Sequence, residues 1–90
     1  MFKNKMIGSV NYYRVVVDEP LEGEKPYVAQ CNDIIEKLNM NFAEGNVFKA
    51  VWRMCTYRNL GKHKPGYDPA DDAKKILFFG QRLLHQTSNR

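Results

Sequence analysis

Asn46, Lys49 and Arg53 stand three and four residues apart within an apolar run, so a helix through them carries all three on one stripe. Polar groups on a largely buried helix cost desolvation energy unless something complementary meets them. A phosphate is such a complement: Arg offers a planar fork to two oxygens, Lys a point charge, and Asn a donor and an acceptor for a base or ribose. The same spacing equally suits a stripe that pairs with Glu36, Asp71 or Asp72 on adjacent helices, or that faces water.

Asp72 and Lys75 belong to a later helix, one side of which can face this stripe. Asp72 would orient Lys49 or Arg53, or hold a magnesium ion beside a bound phosphate. Its ordinary role is an acid placed favourably in a helix's first turn. Tyr12, Tyr13 and Arg14 set two aromatic faces beside a cation, a combination that stacks on a nucleobase and reaches a phosphate, or packs in a core or between subunits.

Other sets are less specific. The loop Gly61-Lys62-His63-Lys64-Pro65-Gly66 has the composition of a phosphate cradle but lacks the Walker spacing and follows no strand; its cations close over an anion or stay solvated. His63 and His85 have no carboxylate at ligand spacing, which argues against a resident metal. Asp33 with Glu36, and Asp68 with Asp71, are similar to the acid clusters with which all-α nucleotide pyrophosphohydrolases hold magnesium. Helix capping already accounts for Asp68 and Asp71, which leaves one pair where two helices of acids are needed. Cys31 and Cys55 lie in apolar helical patterns with no neighbouring base and no Cys-x-x-Cys, so buried thiols are expected rather than a nucleophile or a zinc site.

The elements that must position these residues follow from periodicity. Residues 9–17 are rich in β-branched and aromatic types and read as an extended segment without a clear hairpin partner; 18–25 form an acidic loop. A first amphipathic helix is predicted over 26–38, where Tyr27, Val28, Cys31, Ile34, Ile35 and Leu38 recur at three- and four-residue steps. Two Asn around Met40 break it. The second helix, 42–58, is apolar around most of its circumference and therefore central. Gly45 weakens its first turn by about 1 kcal/mol relative to Ala, which is tolerated where a neighbouring helix or a ligand comes close. After a basic loop at 59–67, Asp68-Pro69-Ala70-Asp71 places an acceptor at the N-cap and Pro at the first position of a third helix ending near residue 86.

Ninety residues fix one domain, with 1–25 as extended segment and acidic loop and 26–86 as a helical core. The expected fold is mainly α, a three-helix antiparallel arrangement with a short N-terminal extended segment, completed by oligomerisation because a chain this short with 43% apolar residues hides few of them alone. No apolar run is long enough to span a bilayer and no leader is evident, so a cytoplasmic protein without membrane contact is expected. Net charge is +4, with Lys49, Arg53, Arg58, Lys62, His63 and Lys64 clustered in a stretch free of acids. That favours phosphates, although the cations form no long stripe with interleaved aromatics, and nucleic acid is therefore not the expected partner.

Taken together, Tyr12-Tyr13, Asp33-Ile34-Ile35-Glu36, Gly45-Asn46-(x)2-Lys49-(x)3-Arg53 and Asp71-Asp72-Ala73-Lys74-Lys75 follow one another in an order that resembles a known family. It comprises short bacteriophage domains of unknown function, which also occur in a phage nucleoside monophosphate kinase lacking a Walker loop. The resemblance spans nearly all of residues 12–84; the family's usual initial His is missing, and the loop before the last helix is longer and more basic. It implies a phage protein acting in an infected bacterial cell, with a nucleotide-type ligand. The expectation is a module that binds a nucleotide or cyclic nucleotide signal through Tyr13, Asn46, Lys49, Arg53, Asp72 and Lys75, needing no cofactor beyond magnesium carried by the nucleotide, and acting against host defence by sequestration. The alternatives are a kinase-like phosphotransferase and a protein-binding inhibitor that docks through the basic loop.

Overall fold

The computed structural model describes residues 11–23 and 25–88. A 3-10 turn at Asn11–Tyr13 leads into strand β1 (Arg14–Val17), followed by β2 (Tyr27–Gln30), α1 (Cys31–Lys37), α2 (Phe42–Leu60) and α3 (Pro69–Ser88). The molecule is mainly helical, as expected. Residues 9 and 10 of the expected extended segment, Glu24 of the acidic loop and residues 89 and 90 lie outside the described residues.

The N-terminal half departs from expectation. The extended segment does have a partner: β1 and β2 pair antiparallel, with Arg14 opposite Gln30 and Val17 opposite Tyr27. Residues 27–30, expected as the first turn of a helix, are that partner strand, and α1 begins only at Cys31. Tyr27 and Val28 favour either period over so short a run, and the Val-rich strand across from them decides it. Val15 and Val17 turn towards α2, where with Ala29, Phe48 and Trp52 they border an apolar groove.

The helix boundaries have local causes. α1 stops where Asn39 takes a left-handed φ of 53°, and the Met40 amide returns to the Ile35 carbonyl at 3.0 Å. α2 then opens with a reciprocal capping box. The Glu44 amide donates to Asn41 Oδ1 at 2.8 Å, while the Asn41 amide donates to Glu44 Oε1 at 2.9 Å. At its other end Gly61 has φ 64°, a conformation that costs a side chain energy, and the Lys62 amide reaches back to the Thr56 carbonyl. α3 starts as its sequence dictates, with Asp68 Oδ1 accepting from the Ala70 amide at 3.0 Å.

α2 and α3 run antiparallel. Asn41 at the start of α2 donates to Gln86 near the end of α3, whereas Arg53, late in α2, meets Asp72 in the first turn of α3. Phe42 and Phe79 meet edge to face with ring centres 5.5 Å apart. A Cβ added to Gly45 would sit 3.7 Å from Ile35 Cγ2, an ordinary contact, so the neighbour that Gly45 faces is α1. Among the described residues the fully buried apolar side chains are all small: Cys31, Ala43 and Ala50. No helix among them is long and apolar enough to cross a membrane.

Candidate functional site

Arg53 is the centre of a network that joins four segments of the chain. Its Nε donates to Asp72 Oδ2 at 3.0 Å and its Nη2 to Asp72 Oδ1 at 2.6 Å, a bidentate pair between α2 and α3. Its Nη1 donates to the Tyr13 hydroxyl at 2.9 Å. Tyr67, from the loop before α3, donates its hydroxyl to Asp72 Oδ2 at 2.7 Å. The turn carrying Tyr13 is itself fixed, because Trp52 Nε1 donates to the Tyr12 carbonyl at 2.9 Å. α2 therefore holds both the guanidinium and the segment that supplies its third partner.

The electrostatics follow from that geometry. Asp72 is 2% exposed. Burial by itself raises a carboxyl pKa, but the hydrogen bonds from Arg53 and Tyr67 outweigh it and hold Asp72 below the usual carboxylate range. The hydrogen bond to Asp72 raises the Arg53 guanidinium further still against its desolvation. Burial, then the bond to the carboxylate, pushes the Tyr67 phenol up, so it stays a donor at neutral pH. Cys31 is raised by burial, which Lys49 and Arg53 partly oppose, and it remains a thiol.

Above this network opens a cup of about 420 Å³. Its walls are Tyr12, Tyr13 and Tyr67, its floor includes Arg53 and Asp72, and Lys64, Lys75, Asp68 and Asp71 also line it. Three of the five Arg53 N–H groups are engaged, and the remainder are held in a fixed pose. Neither Lys64 nor Lys75 makes an ion pair among the described residues. The cup thus combines aromatic faces, anchored donors and two lysine ammonium groups, within the size range of small-molecule sites.

Of the six residues singled out in the sequence, Tyr13, Arg53, Asp72 and Lys75 meet in this cup. Lys49 does not; with Tyr13, Cys31 and Ile35 it borders a separate cleft of about 210 Å³. Asn46 turns back on its own helix, its Nδ2 donating to the Phe42 carbonyl at 2.8 Å. The three-residue stripe is therefore divided among three environments. The sequence reading gave Tyr12 as a stacking or packing residue, Lys64 as a loop cation that closes over an anion or stays solvated, and Tyr67 as part of the same basic loop. A tyrosine five residues before an acid at a helix start was the available signal for Tyr67. Among the described residues no three His, Cys, Asp or Glu side chains gather at metal-ligand spacing. No protein-family model, curated protein or solved structure matches the chain.

Proposed function

We propose that the chain binds a nucleotide or nucleotide-derived signal in the tyrosine-walled cup and works as a homo-oligomer, holding its ligand rather than converting it. The observation that carries the reading is the convergence of three tyrosines, a pre-positioned guanidinium and two lysines on one cavity. Tyr12, Tyr13 or Tyr67 supplies the face for a base, Lys64 and Lys75 supply charge for a phosphate, and Arg53 offers donors whose orientation is fixed before the ligand arrives. In the phage setting that the family resemblance implies, sequestration alone would blunt a nucleotide-based host defence. Phosphoryl transfer ranks second, because the Asp72 carboxylate that would position magnesium already accepts from Arg53 and Tyr67 on both oxygens.

Calorimetric titration with mononucleotides and cyclic dinucleotides tests the reading. Binding is expected, and Lys75→Ala should weaken it at least about tenfold, the scale of one charged hydrogen bond. Lys49→Ala, outside the cup, should leave it unchanged. Absence of binding across the panel overturns the proposal, and product formation from a nucleoside monophosphate with ATP and magnesium would replace it with the phosphotransferase reading.

A further inference from the structure

The loop between α2 and α3 has a feature that its linear sequence conceals. Lys62 and Lys64 are exposed, and neither makes an ion pair among the described residues, whereas the nearby Arg58 turns its guanidinium to Cys55 Sγ at 3.8 Å. Folding inserts rings among them. Tyr57, on the last turns of α2, stands 5.0 Å from the His63 ring and 5.0 Å from the Tyr67 ring, centre to centre, and His63 and Tyr67 are 6.2 Å apart. His63 is tied to the loop backbone, its Nδ1 bonding to the Lys64 carbonyl at 2.9 Å. Gly61 and Gly66, both with positive φ, provide the bends that bring the loop back against the helix.

From this surface we infer a second binding activity, for single-stranded nucleic acid, on the outer side of Tyr67 from the cup. Tyr57 and His63, the exposed rings of the three, offer surfaces on which unpaired bases stack whatever their sequence, and Lys62 and Lys64, which flank His63 in the loop, match the phosphates joining those bases. An acidic protein surface would use the cations but has no use for the rings. A duplex hides its base faces and would meet only the charge. The combination of exposed rings and unpaired cations therefore selects a single strand.

Fluorescence anisotropy with a labelled thymidine oligonucleotide of about 12 nucleotides, within the site sizes of single-strand binders, provides the test. Saturable binding is expected, with log K falling against log salt at a slope of about −1.4 for the two lysines. Lys62→Glu, on the exposed loop, should lower that slope by about 0.7 or more. Tyr57→Ala should weaken binding roughly tenfold with the slope retained, which charge alone would not produce. Lys62 does not line the cup, so Lys62→Glu should keep the parent's affinity for mononucleotides, and Lys75→Ala should keep its affinity for the oligonucleotide. Failure here is thus separable from failure of the cup. The inference is overturned if the oligonucleotide does not bind at low salt. It is equally overturned if a duplex or polyglutamate binds as tightly as the single strand, or if Tyr57→Ala leaves affinity unchanged.

Discussion

Removing either member of the Arg53–Asp72 pair leaves the other charged in a site from which water is largely excluded. Breaking such a pair from one side costs about 3–5 kcal/mol, a large share of the stability of a small domain. Asp72→Ala should therefore lower the urea midpoint strongly. The pH dependence has a definite sign. Asp72 has a lower pKa folded than unfolded, so its contribution is complete above the ordinary carboxylate value of about 3.9 and is lost as pH falls below it. Tyr67 has a higher one, so its contribution is complete below the ordinary phenol value of about 10 and is lost as pH rises beyond it. Urea unfolding of the parent against Asp72→Asn should show an advantage that shrinks in acid, and against Tyr67→Phe one that shrinks in alkali. A difference independent of pH would sink the network as the source of either effect. At this scale the sequence was half legible. It offered Asp72 as a partner for Arg53, but the partition of Asn46, Lys49 and Arg53 depends on what packs against each turn of α2, which spacing along one helix does not encode.

α2 is the element on which the site depends, and its first turn is held by a short local motif. Asn41→Ala removes the acceptor for the Glu44 amide and the link to Gln86. It should cost about 1 kcal/mol, or roughly 4–8 °C in Tm for a domain of this size. An unchanged thermal melt would show that packing alone fixes the start of α2. The helices were legible because their signals are local: a long periodic apolar pattern, a break at Asn39 to Asn41, and Asp68-Pro69 at a helix start. The hairpin was not. Each strand has only four residues, Tyr27 and Val28 fit a helical step as well as a strand, and pairing across a loop of nine residues leaves no periodic trace in either segment. That omission mattered for the site, since β1 follows directly from the turn that brings Tyr12 and Tyr13 to Arg53.

For the molecule as a whole, the distribution of apolar surface is the fact that most needs a cause. The fully buried apolar side chains among the described residues are small, while α3 leaves Leu77 66% and Leu84 67% exposed, two turns apart on one stripe that also carries Ala73 and Gly80. Phe78, beside that stripe, is also more than half exposed. Spacing of four, three and four residues is the pattern by which one helix packs along another, and no described element covers it. Apposed copies would need to bury about 1,000 Å² in total for a stable interface, within reach of a 20-residue helix carrying these side chains and its flanks. Sedimentation of the parent should accordingly give a multiple of 10.5 kDa. Leu77→Glu combined with Leu84→Glu should return it to one chain, and a parent that already sediments as a single chain at micromolar concentration would refute the homo-oligomer. The same variant separates assembly from binding. The tyrosines, Arg53, Lys64 and Lys75 of the cup all come from one chain, so the monomeric variant should retain the parent's affinity for a mononucleotide. Loss of that affinity would mean that a second copy completes the cup, and the ligand should then stabilise the assembly by the free energy with which it binds.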